Sequence, residues 1–256
     1  MPPFDDLIRD TIEDIENKQR SLTVILETGG GYIETAERIA DTLRWHYPRE
    51  INFIVPNQAM SAGTVLVMCG DNILMDYYST LGPIDPQIRN KMNEADFIPA
   101  LGYLAKFDEL MEKSAQGTLT EAEMAYLVAK FDPAELHQFE QARQLSVDLL
   151  QKWLVQYKFR KWRKTQTRGQ RVTIKMKKER AAEIAMKLNA IEKWKSHARG
   201  ISKEIVENDL KLTVRDFGAE EGLNRAIRAY YRLMQDYMQR RAHQMVVHTR
   251  HTYVGF

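Results

Sequence analysis

Ser61 lies in Ala59-Met60-Ser61-Ala62-Gly63-Thr64, a stretch two residues beyond the apolar run INFIVP, and sits just before the small-residue run AGTVLVMCG. A serine between a buried strand and a helix suits a nucleophile. The helix dipole and the first-turn N–H groups favour developing negative charge, and Ala62 and Gly63 leave room for a substrate. The same position suits a serine that merely caps the helix. A second turn, Thr28-Gly29-Gly30-Gly31, follows the run SLTVILE. Glycine admits positive φ and lets a carbonyl approach the main chain, so this turn can hold an oxyanion. Two other readings stand beside that one. The turn can bind phosphate at a helix start, although no GK[ST] or GxGxxG pattern follows, or it can be a plain tight connection.

The surrounding pattern gives these turns a frame. Phe4, Leu7, Ile8, Ile12 and Ile15 form a helical stripe. SLTVILE, INFIVP and ILMDYYS read as buried strands. YIETAERIADTLRWHY, with Ile33, Ala36, Ile39, Ala40 and Leu43 on one face, and AGTVLVMCG read as the helices between them. This alternation predicts right-handed βαβ units and a mainly parallel sheet. Both turns then fall at the carboxyl ends of neighbouring strands, where open α/β sheets form ligand crevices. From residue 97 the pattern turns helical: Phe97 to Glu112, Thr120 to Lys130 and Pro133 to Phe159. Thr120 with Glu123 makes a capping box, and Asp132-Pro133 starts a helix. Residues 151 to 200 hold 16 Lys or Arg against three Glu, with Trp153, Trp162 and Trp194 among them. The expected organisation is a core over 1–96, a helical extension with a basic arm over 97–200, and a terminal strand and helix returning to the core over 201–256.

Thr28-Gly29-Gly30-Gly31, then MSAGT around Ser61, then STLGPIDPQ over 79–87 resemble the ClpP/crotonase superfamily. Within it the chain is most similar to the serine dehydrogenase proteinase family, akin to signal peptide peptidase A. The resemblance covers about residues 20 to 90. It resumes at Ser196-His197-Ala198-Arg199-Gly200-Ile201, ahead of a short strand expected at LKLTV. It implies a ClpP/crotonase-like α/β core with an added helical region, and a serine peptidase acting on peptide or unfolded-protein substrates. Ser61 would attack, with the N–H groups of Gly30 and Ala62 as the oxyanion hole. No cofactor and no metal are called for. A homo-oligomer is implied, of unspecified copy number. Relatives also carry a strand ahead of the first one seen here.

The resemblance further implies Ser, Asp and His in chain order. His197 is the first choice of base, its bland alternative being a helix C-terminal cap. Asp85, 24 residues after Ser61 in LGPIDPQ, ranks above Asp132 as the orienting acid; a turn residue stiffened by Pro83 and Pro86 and an N-cap are their structural alternatives. A serine–lysine dyad is the competing design. Lys106 and Lys113 lie 45 and 52 residues past Ser61, and Lys113 is the preferred alternative base. His46 reads as a solvated helix-end cation and His137 as a surface residue. His243, His248 and His251 have no interleaved Asp, Glu or Cys, so they do not read as a metal site. The rival functions are a catalytically silent ClpP-like scaffold or oligomeric binding protein, and a crotonase-type enzyme acting on acyl thioesters.

Composition bounds the rest. The 256 residues are 44% hydrophobic and 28% charged, the values of a globular chain. With 37 Lys and Arg against 35 Asp and Glu the net charge is +2, so bulk charge does not argue for nucleic acid. Cys69 alone excludes a disulfide framework within the chain and a cysteine-only zinc site. No long apolar run and no signal peptide are seen, and a cytoplasmic protein is expected. Residues 158–180 interleave cations with Phe159 and Trp162. The readings are a membrane-surface or acidic partner, nucleic acid by base stacking, or a solvated hairpin covering the mouth of the site.

Overall fold

The structure, a computed structural model, describes residues 4–85, 87–90, 93–165 and 167–256. In chain order the elements are α1 (Phe4–Glu13), β1 (Ser21–Ile25), α2 (Ile33–His46), β2 (Glu50–Ile54), β3 (Gln58–Ala59), α3 (Ala62–Val67), β4 (Asn72–Met75) and β5 (Thr80–Leu81). Next come β6 (Gln87–Asn90), β7 (Asn93–Pro99), α4 (Ala100–Ala115), α5 (Glu121–Lys130), α6 (Pro133–Trp153) and a π-helical turn (Leu154–Lys158). The chain closes with α7 (Ile174–Leu188), α8 (Ile191–Trp194), β8 (Ile201–Ser202), α9 (Lys203–Asn208), β9 (Arg215–Asp216), α10 (Glu221–Arg241), β10 (Val246–His248) and β11 (Tyr253–Gly255).

The expected parallel sheet is present, with strand order β1-β2-β4-β9 and every pair parallel. Alternation along its strands separates two apolar faces. Ile51, Phe53, Ile73 and Met75 enter the main core, together with the apolar stripes of α2 and α3. Ile54 and Leu74, on the opposite face, pack with Phe217, Ile227 and Leu223 of the returning C-terminal segment. A second, three-stranded sheet has the order β3-β5-β8.

Three element boundaries differ from expectation. The third strand stops at Met75 because Asp76 takes over the chain: its Oδ1 accepts from the N–H of Tyr78 at 3.0 Å and of Ser79 at 3.2 Å, closing a turn. The helix expected from Phe97 begins at Ala100; Phe97 belongs to β7, paired antiparallel with Arg89 of β6. The terminal strand expected at LKLTV pairs at Arg215–Asp216, beside Leu74 and Met75 of β4. The capping box at Thr120 and the N-cap at Asp132 form as the sequence predicts.

The basic segment is not a free arm at its root. Trp153, Leu154, Phe159, Ala181, Ile184, Ala185 and Leu188 are buried in the same core as the sheet. Trp162 packs edge-on against the buried Phe159 ring with centroids 5.5 Å apart. Buried Asp71, just ahead of β4, receives Arg44 from α2 at 2.9 Å, Arg160 at 2.6 Å and the N–H of Ile51 at 3.0 Å. Lys161 reaches Glu50 at 3.2 Å. Glu50 and Asp71 lie at the amino ends of β2 and β4, so the root is tied to the end of the sheet opposite the two turns. The hairpin expected to cover the mouth of the site is thus anchored at its root away from the two turns.

Lys158 ends the π turn largely withdrawn from water. Burial pushes its pKa down to about 8, with Asp71 opposing the shift. The unfolded chain therefore binds an extra proton between that value and the ordinary one of about 10.4, and stability rises with pH across this window. Lys158→Met should be about 1–3 kcal/mol more stable than the native chain at pH 7, a gap that closes by about pH 10. Urea denaturation at the two pH values checks this; a gap independent of pH would contradict it.

Candidate active site

One cross-strand row organises the site. Thr28 bridges Ala59 in parallel, Ala59 pairs with Leu81 in parallel, and Leu81 pairs with Ile201 antiparallel. The chain leaves Thr28, Ala59 and Leu81 in one direction and enters Ile201 from that same side. Gly30 and Ser61 follow their row residues by two positions, Asp85 follows its own by four, and His197 precedes its own by four. All four segments thus emerge at one end of the sheet, although Gly30 and His197 are 167 residues apart.

Small residues let the segments touch. A Cβ on Gly30 would lie 2.8 Å from Ser61 Cβ and 3.5 Å from Ser61 Oγ, and φ at Gly30 is +108°. No other residue fits that conformation and that approach. Hypothetical Cβ atoms on Gly63, Gly82 and Gly200 would likewise meet Thr28, Met60 and Thr80 at 2.3, 2.7 and 2.7 Å. Thr64 ties two of the segments together. Its buried hydroxyl lies 2.7 Å from the Ala59 carbonyl, to which it donates, and accepts from the Gly82 N–H at 2.8 Å, three residues before Asp85.

Ser61 has φ 51° and ψ −120°, outside the regions open to most side chains. Holding it there costs about 1–3 kcal/mol, which the surrounding row must offset. Its hydroxyl does not cap α3, and no hydrogen-bond partner for Oγ occurs among the described residues. The N-cap reading of this serine is therefore not what the structure adopts. The Gly30 N–H, expected as an oxyanion donor, is already used: it donates to Thr28 Oγ1 at 3.0 Å. Among the described residues nothing accepts from the N–H of Gly31 or of Ala62. The engagement of the Gly30 N–H by Thr28 is a feature that sequence reading missed. A hydroxyl-bearing residue two positions before Gly30 was the available signal, since such side chains bond the backbone N–H two residues on.

His197 and Asp85 come together. Nδ1 lies 2.9 Å from Oδ1, with side-chain exposures of 11% and 1%. Neither Asp85 oxygen, nor His197 Nδ1, is aligned with any partner as a directed hydrogen bond. The buried Asp85 carboxyl thus has the His197 imidazole as its neighbour. Pro86 lies outside the described residues. Asp132 is elsewhere: it is exposed and caps α6 through Ala134 N–H at 2.8 Å. Lys113 is also surface-bound, 2.7 Å from Glu123 and 3.3 Å from Glu109. The hydrogen bonds to these carboxylates raise its pKa, opposite to what a lysine base needs. Lys106 pairs with Glu109 at 2.9 Å. His46 ends α2 and His137 is exposed on α6. His243 and His248 bond the hydroxyls of Tyr253 and Tyr230 at 2.9 and 2.8 Å, and no metal-holding cluster occurs among the described residues.

A mainly parallel α/β core with a serine turn apposed to a glycine turn defines the class of ClpP-like folds. The chain belongs to the ClpP-like SDH-type serine proteinases, whose family model matches residues 7–173. It is similar to two uncharacterized proteins of Methanocaldococcus jannaschii. One is 40% identical over 87 residues, spanning 30% of each chain. The other is 32% identical over 118 residues, spanning 43% of this chain and 38% of the relative. The matches therefore span about a third of these curated relatives. Among the described residues no helix is long and apolar enough to cross a membrane.

Thr64→Val leaves the Gly82 N–H unpaired in the interior and should destabilise the protein by about 1–3 kcal/mol in urea, with Thr64→Ser recovering most of the loss. Equal stabilities of Thr64→Val and the native protein would show that the hydroxyl does not join the segments.

Proposed function

We propose that the protein is a serine endopeptidase in which Ser61 attacks a peptide carbonyl, His197 takes the serine proton and returns it to the leaving amine, and Asp85 orients the imidazole. The observation that carries this reading is the apposition of Gly30 to a strained Ser61 whose hydroxyl is unengaged. The His197–Asp85 pair at the same end of the sheet supports the choice of base. The oxyanion is assigned to the N–H groups of Gly31 and Ala62, with Gly30 supplying clearance and Thr28 holding the turn. No step calls for a cofactor. A homo-oligomer and an unfolded or extended peptide substrate fit the family. The serine–lysine alternative is disfavoured because Lys113 is exposed and doubly paired with carboxylates.

A fluorophosphonate probe and a labelled unfolded protein test the reading together. Native protein should be labelled and should cleave the substrate, while Ser61→Ala should do neither. His197→Ala and Asp85→Asn should slow labelling by roughly 10²-fold or more, the contribution expected of a positioned base. Lys113→Ala should change it less than about twofold, as expected of a surface ion pair. Absence of labelling on folded native protein would favour a silent scaffold. Loss of labelling in Lys113→Ala but not in His197→Ala would transfer the proton to the lysine.

A further inference from the structure

Among the described residues two surfaces lie exposed, one apolar with an acidic rim and one basic. The first is the hairpin formed by α4 and α5. Among the described residues α5 buries no side chain, and Val128, Met124 and Tyr126 are 74%, 48% and 47% exposed. Together with Leu119, Ala125 and Ala129, Met124 and Val128 line an open apolar groove of about 640 Å³. Residues 100–148 hold nine Asp and Glu against four Lys and Arg. Asp108, Glu112 and Glu121 face solvent there without a cationic partner among the described residues.

The second surface is the distal part of the basic segment. Lys164 bridges Arg171, Thr165 N–H donates to Gln170 O at 2.9 Å, and Val172 N–H donates to Arg163 O at 2.9 Å. Arg163, Lys164, Arg168 and Arg171 project from this turn, all exposed, and no acidic partner occurs among the described residues. The positive field is felt nearby: burial and then Arg163 lower the pKa of Lys177. At the base of this turn Ile174 is 62% exposed, with Arg171 before it and Lys178 one helical turn after it.

We propose that the basic turn of one copy of this chain docks on the α4–α5 hairpin of a second copy, with Ile174 entering the apolar groove beside Val128 and Met124. The cations around Ile174 then face the acids around the groove. Apolar contact at the centre with complementary charge at the rim is the arrangement that gives both affinity and register. The contact joins two different patches, so it is heterologous and propagates to a ring or an open chain. It does not depend on the catalytic reading.

Sedimentation velocity on the full chain tests this. Assembly should be present at roughly 50 mM salt and weaken at roughly 500 mM, as exposed charge pairs are screened. Ile174→Glu and Val128→Glu should each weaken self-association about tenfold or more while circular dichroism stays native. Arg171→Glu should do the same, and adding Glu121→Arg to it should restore assembly. A monomer at both salts, or assemblies indifferent to all of these substitutions, would overturn the proposal. So would a result in which Arg171→Glu abolishes binding to phosphatidylserine vesicles while leaving the mass unchanged, since the turn would then serve a lipid surface.

Discussion

The row Thr28–Ala59–Leu81–Ile201 is the constraint on which the site depends. Adjacent strands lie about 4.8 Å apart. Four segments anchored side by side in this row must therefore emerge within a few residue widths of one another. Parallel pairing sends the glycine, serine and aspartate turns out of the same end, and one antiparallel pairing brings the histidine segment in from that end. Had β8 paired in parallel, His197 would begin from the far end of the sheet.

Close packing at the row explains why Ser61 can hold an unfavourable backbone conformation. Gly30 approaches its Cβ, the carbonyl of Met60 accepts from Gly63, and Thr64 clamps the carbonyl of Ala59 and the amide of Gly82. Each contact is worth at most about 1–2 kcal/mol net, and together they match the cost of the strained residue. The product is a hydroxyl turned away from the helix it precedes, beside two amides with nothing to bind. A serine that relaxed into an ordinary N-cap would spend its oxygen on its own helix.

Charge is divided between the two ends of the sheet. At the amino end Asp71 gathers Arg44 and Arg160, and Arg44 also lies over the Tyr157 ring at 3.7 Å. That network joins the basic segment to α2 and to the strand ends, so its root serves as structure. At the carboxyl end Asp85 is as deeply buried, yet it has no arginine or lysine in contact among the described residues, and faces a histidine. A buried carboxylate needs a polar partner, and the His197 ring is the side chain placed beside it. Lys113 stands in contrast, since its hydrogen bonds to Glu123 and Glu109 raise its pKa.

Much of the core was legible in the residues themselves. β-branched runs broken by glycine or by a small-residue turn predicted three parallel strands, and capping residues located α5 and α6. The pairing of glycine turn with serine turn followed from chain order and strand direction alone. Boundaries set by long-range partners were not legible. Phe97 joins a strand because Arg89 is across from it, and Arg215–Asp216 form a strand because Leu74 and Met75 lie beside them. The basic run gave no sign that Asp71 would capture Arg160, for charge counts carry no direction. Which N–H of the three glycines is engaged depends on where the Thr28 hydroxyl points. Whether His197 or a lysine meets a buried carboxylate depends on how segments far apart in sequence are stacked. Local sequence sets strand, helix and turn through short-range sterics and periodicity; contacts among distant segments are decided only when the whole core closes.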